Sequence, residues 1–168
     1  MMKKKLSALL MCAALIQPAF AAEVLAEPPG VVRVSLELVK NTQRIWSAEL
    51  SAADGLKAPI FVNTDRPYAK ECTPDAKGGF TVSHGVLSTG ISAEVTPTII
   101  ADAVMVSVSF QYKELEGIKT HREKGCTIEQ PLTRGFNTAG QYMLKQGAPV
   151  ELPASLGTEK YVLILRTL

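Results

Sequence analysis

The stretch GISAEVTPTIIADAVMVSVSFQY, residues 90–112, decides the fold because it contains two runs with a two-residue period. In the first run, Ile91, Ala93 and Val95 alternate with polar side chains, and in the second, every other residue from Val104 to Tyr112 is a valine or an aromatic. Such a period places each apolar set on one face of a β-strand. The stretch therefore predicts an antiparallel hairpin, with Pro97 at a strand end or bulge because it lacks a backbone donor.

Strand patterns separated by turn residues recur through the rest of the chain. Val32 to Leu38 alternates strictly, and Lys160 to Leu168 is apolar on both faces until Arg166, which is typical of a central strand. Two short segments, Ala48 to Leu56 and Arg134 to Leu144, are the best helix candidates. The pattern predicts a mainly β chain, an antiparallel sandwich or partly open barrel with at most one or two short helices.

The first 22 residues have the pattern of a cleaved signal peptide. Three lysines at positions 3–5 precede an apolar run at 6–16, and Ala-Phe-Ala at 19–21 offers small residues for cleavage. The run is shorter than the roughly 20 residues of a membrane span, so we expect no stable membrane insertion after cleavage. The alternative is an uncleaved anchor. Residues 23–30 are a polar, proline-rich leader, and residues 31–168 are expected to form a single β-rich domain.

The charge balance depends on the signal peptide. The whole chain carries 18 Lys and Arg against 16 Asp and Glu, a formal charge of +2. Removal of the three signal-peptide lysines leaves 15 against 16, or −1. Because the basic excess disappears, we expect no nucleic-acid partner.

Two cysteines, Cys72 and Cys126, remain after the signal peptide is removed. An exported chain enters an oxidising compartment, where paired thiols persist as disulfides. We expect a structural disulfide across 54 residues, which stabilises the fold by about 4 kcal/mol in the chain-entropy model. The alternatives, a metal site or a redox pair, lack the support of a CxxC spacing or a neighbouring histidine.

The sequence contains no motif for catalysis, for a metal or for a cofactor. His84 and His121 are 37 residues apart without ligand spacing, and Ser88 lacks the Gly-x-Ser-x-Gly context of a hydrolase nucleophile. We therefore expect no enzymatic activity, no cofactor and no metal. Five aromatic residues are candidates for core packing or for a binding surface: Trp46, Tyr68, Tyr112, Tyr142 and Tyr161.

The most polar segment is ELEGIKTHREKG, from Glu114 to Gly125. Mixed charges of this kind are typical of a solvated segment, which is either an extended hairpin or a flexible loop. We expect it to be the most mobile internal part of the mature chain. As a candidate interaction loop it offers four side chains: Lys119, His121, Arg122 and Lys124.

From Gly90 onward the chain resembles the β-domain of bacterial outer-membrane secretins. The resemblance lies in a glycine before a strand, a Val-x-Pro-x-Ile step, an acidic turn and a valine-rich strand, here Gly90, Val95 to Ile99, Asp102 and Val104 to Val108. It implies a local strand arrangement. It does not extend to pore function, because the chain is shorter than a secretin protomer and the disulfide is not part of that pattern. The chain is also similar to small exported proteins of Gram-negative bacteria.

These observations favour a non-enzymatic periplasmic or secreted interaction module whose partner is an unknown protein or envelope component. Its contact surfaces would be exposed loops carried by the sheet scaffold. One alternative is an accessory structural part of a secretion or pilus assembly, which would expose a strand edge for β-augmentation. Another is a small periplasmic hydrolase in which Ser88 and scattered carboxylates converge. The sequence does not set the oligomeric state.

Overall fold

The computed structural model describes residues 30–123 and 125–168. In this part of the chain, eight strands and no helix are found. The predicted signal peptide at 1–22 and the leader as far as residue 29 lie outside the described residues. The strands are β1 Val31–Lys40, β2 Gln43–Ala53, β3 Ala58–Pro74, β4 Phe80–Ile100, β5 Ala103–Glu123, β6 Cys126–Leu144, β7 Val150–Leu156 and β8 Glu159–Thr167.

The described strands form two antiparallel four-stranded sheets. The first sheet has the order β2-β1-β8-β7, and the second has the order β3-β4-β5-β6. The predicted mainly β fold is confirmed. Of the two predicted architectures, a sandwich and a partly open barrel, the structure adopts the sandwich. The closing strand β8 lies between β1 and β7, as its apolar pattern on both faces predicts.

The core lies between the two sheets and contains one face of each strand. From the first sheet come Val34, Leu36 and Leu38 of β1 with Tyr161, Leu163 and Leu165 of β8, each 0% exposed. From the second come the alternating residues of the predicted hairpin, Ile91, Ala93, Val95, Val106, Val108 and Phe110. The two-residue periods read from the sequence therefore identify the buried faces.

Pro97 does not lie at a strand end or a bulge. It is fully buried within β4 opposite Val106, and the turn of the hairpin follows at Ala101 and Asp102. Pairing with β3 ends at Val95, and the Pro97 carbonyl accepts a hydrogen bond from Gly55 N. In an antiparallel strand the N–H and C=O of one residue point to the same side, so the missing donor faces the side where β3 has ended.

Neither helix candidate, Ala48 to Leu56 or Arg134 to Leu144, forms a helix; the first is strand as far as Ala53 and then turns at Asp54 and Gly55, and the second is strand throughout. Ala48 to Ala53 belongs to β2, and Arg134 to Leu144 belongs to β6. Each segment pairs in continuous register with its neighbour, β2 with β1 and β6 with β5. Cross-strand pairing and burial of one face override the weak local helix propensity of these short segments.

The second sheet divides where it leaves the sandwich. Pairing between β4 and β5 runs from Ile100 opposite Ala103 to Gly90 opposite Lys113, and in the described residues it stops there. The pairing of β3 with β4 continues to Pro74 opposite Phe80, and that of β5 with β6 continues to Cys126. The outer halves are thus two hairpins, which we call the first arm (residues 64–89) and the second arm (residues 114–133), each about 30 Å long.

Two glycines lie in one row across the sheet at the point of division. Gly90 on β4 and Gly135 on β6 are both opposite Lys113 on β5. A Cβ atom would lie 2.1 Å from the Val62 carbonyl oxygen at Gly90 and 2.1 Å from the Tyr112 carbonyl oxygen at Gly135. Gly90 also has a φ of 130°, which side chains rarely allow. These glycines therefore permit the close backbone approach in the row at which the sheet divides.

Candidate functional site

The two arms extend beyond the core. In the described chain, the buried apolar cluster contains no residue of the first arm or of the second arm. In the first arm, Val82 and Val86 are exposed hydrophobic residues, with 37% and 66% of their surface accessible. In the second arm, Leu115, Ile118 and Leu132 are half-buried. The arms therefore offer a large accessible surface on a hydrogen-bonded scaffold.

A disulfide joins the arms near their tips. Cys72 on β3 and Cys126 on β6 are bonded, and their Cα atoms are 6.3 Å apart. Close by, the Ala69 amide donates a 2.9 Å hydrogen bond to the Glu129 carboxylate. Because β3 and β6 are the two edges of the second sheet, these links bring its edges together at the tips. The disulfide is typical of an exported or envelope protein.

A cluster of ion pairs lies where the arms begin. Arg134 on β6 pairs with Glu114 on β5 through Nε and with Glu159 on β8 through Nη2, the latter at 2.8 Å. Lys40 on β1 pairs with Glu159 at 2.9 Å and with Glu114 at 3.8 Å. All four side chains are between 23% and 32% accessible. The cluster connects the first sheet to the second at the open end of the sandwich.

Two tyrosines complete this cluster on its core side. Tyr112 donates a 2.7 Å hydrogen bond to Glu114, and Tyr161 donates a 3.0 Å bond to Glu159. Their rings pack 5.6 Å apart between centroids, and both pack on Phe136. Lys40 Nζ lies 5.4 Å from the Tyr161 ring centroid. The tyrosines thus separate the charged groups from the apolar core.

The surroundings keep both carboxylates of the cluster ionised. Partial burial alone would raise the pKa of Glu114, but hydrogen bonds from Tyr112 and Arg134 outweigh it, and the pKa is lowered. The hydrogen bond from Lys40 is the main cause that lowers the pKa of Glu159. Burial, and then the bond to Glu114, raises the pKa of Tyr112. A lowered carboxyl pKa and a raised tyrosine pKa move these groups away from titration at neutral pH, so the cluster is suited to joining the sheets.

The candidate interaction loop is part of a strand. Lys119, His121 and Arg122 lie in the outer half of β5, exposed, and pair with β6. His121 Nε2 lies 3.3 Å from the Gln130 side-chain oxygen. Lys124 lies outside the described residues. The extended-hairpin alternative is therefore the one that the structure adopts, because hydrogen bonding to β6 continues as far as Cys126.

The hydrolase alternative combined Ser88 with scattered carboxylates, and the structure places one of these, Asp65, beside Ser88. Ser88 is in β4, where its hydroxyl donates to the Asp65 carboxylate, and His84 and His121 lie on different arms. Over the residues described, no group of three or more metal-binding side chains is found. In the same residues, no helix is long and apolar enough to cross a membrane.

Two concave regions lie near the ends of the second sheet's paired section. A cavity of about 290 Å³ lies beside the β4–β5 turn and is lined by both sheets, with Val32, Val104 and Leu144 among its walls. A smaller one of about 100 Å³ lies at the point of division, where hydroxyl and amide side chains surround Lys113. Neither of these two is lined by the ion-pair cluster, whereas Arg134 and Tyr112 of the cluster line another cavity of about 270 Å³ beside Gly135.

Sequence reasoning did not identify the ion-pair cluster or the division of the sheet. Lys40, Glu114, Arg134 and Glu159 come from four strands and share no motif spacing. The only local signal for the cluster is the pair of aromatic residues Tyr112 and Tyr161 in predicted strands. From the sequence alone, each is a candidate either for core packing or for a binding surface. Both pack on the core side of the cluster.

No protein-family model and no curated protein matches the chain. Among solved structures, it is similar to the type IV competence pilus secretin PilQ of V. cholerae, with 10% identity, a TM-score of 0.45, and coverage of 85% of this chain and 45% of that one. It is also similar to the secretin domain β-barrel of InvG from the Salmonella SPI-1 injectisome, with 10% identity, a TM-score of 0.43, and coverage of 82% and 60%.

The chain therefore spans about half the length of these two secretin structures. Its fold resembles that of bacterial secretin β-domains weakly, which agrees with the strand pattern that begins at Gly90 in the sequence.

Proposed function

We propose that this chain is a non-enzymatic interaction module, periplasmic or secreted, that binds a protein or envelope component through its two arms. The observation that carries the proposal is that β3 to β6 continue as two hairpins far beyond the core that they help to build. The arms are held by strand pairing, by the Ala69–Glu129 hydrogen bond and by the disulfide.

The arms contribute little to the stability of the sandwich. Ordering each backbone residue costs about 1 to 2 kcal/mol, which globular domains offset mainly by burying apolar side chains. The most exposed apolar residue of the first arm, Val86, keeps 66% of its surface accessible. A long ordered element that buries so little is understandable if its surface is used in contact with another molecule.

The charge arrangement supports a non-enzymatic role. The carboxylates brought together, Glu114 and Glu159, are bonded to Arg134 and Lys40 and have lowered pKa values. General acid catalysis by a carboxyl group requires a raised pKa near the working pH. The paired Glu114 and Glu159 therefore give the hydrolase alternative no support.

The experiment that tests the proposal removes the arms. Residues 66–87 and 116–132 would each be replaced by a two-residue Asn-Gly turn, which leaves the core and the ion-pair cluster in place. We expect the truncated protein to retain a cooperative thermal transition and to lose the partners that in vivo cross-linking recovers with the full chain. A control with Cys72→Ser and Cys126→Ser keeps both arms but lacks the disulfide between them. It distinguishes the effect of losing the arm surface from the effect of losing the disulfide. Recovery of the same partners by the truncated protein would contradict the proposal.

A second candidate is an accessory structural part of a secretion or pilus assembly. The observation that favours it is that β4 and β5 separate beyond Gly90, which leaves strand edges available for β-augmentation. This candidate predicts that the chain co-sediments with such an assembly in envelope fractions. Uniform distribution of the chain in the soluble fraction at native expression level would count against it.

A further inference from the structure

The first arm has an open edge along β4. Among the described residues, β4 pairs only with β3 from Phe80 to Thr89, because pairing with β5 begins at Gly90. Seven of the ten residues of this stretch are exposed, and Gly85, Leu87 and Thr89 are half-buried. The edge is ten residues long, enough for a full strand of another chain to pair with it.

Prolines on β3 identify which backbone groups face this edge. Pro59 is opposite Glu94 and Pro67 is opposite Val86. Because proline has no N–H, Pro59 and Pro67 occupy pairs that exchange no hydrogen bonds, and their partners Glu94 and Val86 direct their N–H and C=O groups away from β3. Both partners are even-numbered, so every even-numbered residue of the uninterrupted β4 does the same. The open edge therefore presents the backbone groups of five residues: Phe80, Val82, His84, Val86 and Ser88.

This edge lacks the features that protect exposed strands. From Phe80 to Gly90 the sequence FTVSHGVLSTG contains no Lys, Arg, Asp, Glu or Pro. Three side chains on the same strand face, Phe80, Val82 and Val86, are exposed hydrophobic residues. The matching edge of β5 is different, because it carries Glu114, Glu116, Lys119 and Arg122 and has a register shift at Glu116. Charges and bulges are what native proteins use to prevent edge-to-edge pairing.

We propose that the β4 edge is a dimerisation surface, at which a second copy of this chain pairs antiparallel through the same five residues. His84 lies on the two-fold axis, opposite His84 of the partner subunit, and Val82 lies opposite Val86 of the partner subunit. About ten backbone hydrogen bonds form, since each residue contributes one donor and one acceptor. The first arms then join in one four-stranded sheet with β4 of each copy at its centre.

A second copy fits this edge because of its charge pattern. An antiparallel two-fold pairing brings no lysine, arginine or carboxylate opposite an identical residue, since the edge contains none. Pairing of β4 with β5 of another copy would instead place an apolar strand beside a charged one with a bulge. The two-fold contact is also closed, so association stops at the dimer. This inference specifies a partner for the arm of the proposed function, although the dimer can exist without any other partner.

The test is sedimentation equilibrium of the mature protein from about 1 to about 200 µM. We expect a monomer–dimer equilibrium that His84→Lys weakens by about fivefold or more, because it places two cations opposite each other. Val86→Pro should also weaken the dimer, because it removes an N–H that would bond to the second copy. The same N–H makes no hydrogen bond to Pro67 on β3, so the first arm itself should keep its pairing. The matched control is His121→Lys, which adds the same charge to the second arm and should leave the equilibrium unchanged.

A cross-linking experiment checks the register. His84→Cys places two thiols opposite each other on the axis, at a Cα separation of about 5.5 Å, so oxidation should yield a covalent dimer. His121→Cys should remain monomeric under the same conditions.

A protein that is monomeric at every concentration would overturn the inference. A dimer that is unaffected by His84→Lys and Val86→Pro would also overturn it, because its interface would lie elsewhere. Amide protection at Val82 and Val86 that appears only with envelope extract would assign the edge to a strand of another protein and would contradict pairing with a second copy. These outcomes are separate from the arm-removal experiment, which can succeed with a monomer.

Discussion

Gly90 and Gly135 show how single residues decide the course of the second sheet. Both lie opposite Lys113 in the row at which the sheet divides, and each has a neighbouring carbonyl oxygen where a Cβ atom would be. In the sequence, Gly90 is visible as a residue that leads into a strand. That it shares a row with Gly135 depends on the pairing of three strands, which no local pattern contains.

Replacement of Gly90 should therefore be costly. Gly90→Ala is expected to lower the free energy of unfolding by about 2 to 4 kcal/mol, because the methyl group would overlap the Val62 carbonyl at a φ of 130°. The control is Gly117→Ala, where an added Cβ meets nothing within 4 Å, and where we expect a change within about 0.5 kcal/mol. Urea unfolding measures both, and equal effects would contradict this account of Gly90.

At the scale of elements, the arms are hairpins that local strand pairing forms and a disulfide connects. The bond between Cys72 and Cys126 spans 54 residues and joins the two edge strands of the second sheet. The pairing was expected from the cysteine count and the export signal. The role of the bond as the tether between two separate arms is evident only once the division of the sheet is known.

Removal of the disulfide should loosen the arms and leave the sandwich folded. Cys72→Ser with Cys126→Ser is expected to destabilise the protein by at most about 4 kcal/mol, since the chain-entropy model gives that value for a loop of this length. Thiol labelling of the unfolded, unreduced wild-type protein should give no product at either position. Full labelling at Cys72 and Cys126 would show that the bond is not formed in the isolated protein.

The outer half of β5 should exchange its amide hydrogens faster than the inner half. From Val104 to Phe110 the strand pairs on both sides and faces the core, whereas from residue 114 onward it pairs only with β6 in the described chain. We therefore expect low protection from 114 to 123 in hydrogen-exchange measurements, with a rise at Cys126. Equal protection in both halves would indicate that the second arm is covered and would make it an interface.

At the scale of the whole molecule, the ion-pair cluster closes the sandwich at the end where the arms leave it. Lys40 and Glu159 belong to the first sheet, and Glu114 and Arg134 belong to the second. Each carboxylate is paired with a cation of the other sheet as well as one of its own. The cluster thus couples the separation of the sheets to the ionisation of two glutamates.

This coupling predicts acid sensitivity. Because the pKa values of Glu114 and Glu159 are lowered from 4.5 in the folded state, the unfolded state takes up protons first as the pH falls. The stabilisation should be complete above pH 4.5 and should be lost as the pH falls through the lowered pKa values. Glu114→Gln with Glu159→Gln should flatten the decrease of the melting temperature below pH 4.5, whereas Glu49→Gln, at an exposed position on β2, should leave it unchanged. A slope that the double variant does not alter would contradict the assignment.

By itself, the sequence determined which residues face the core and where most turns lie. Val32 to Leu38 and Val104 to Tyr112 alternate in a way that depends only on the two-residue repeat of an extended chain, and their buried faces agree with that pattern. Lys160 to Leu168 is apolar on both faces, which predicts the central position that it takes between β1 and β7. The resemblance of the strands after Gly90 to a secretin β-domain was likewise visible in local residue order.

Only the tertiary structure decided how far each pair of strands stays together, where the sheet divides and which charges meet. Two features differ from the sequence prediction: Pro97 lies inside β4, and Arg134 to Leu144 is a strand. The extended second arm is one of the two alternatives that the sequence left open. Each of these features depends on a neighbouring strand. The open edge of β4 has the same origin. An edge exists only where a partner strand ends, and that is set by contacts between residues far apart in the chain.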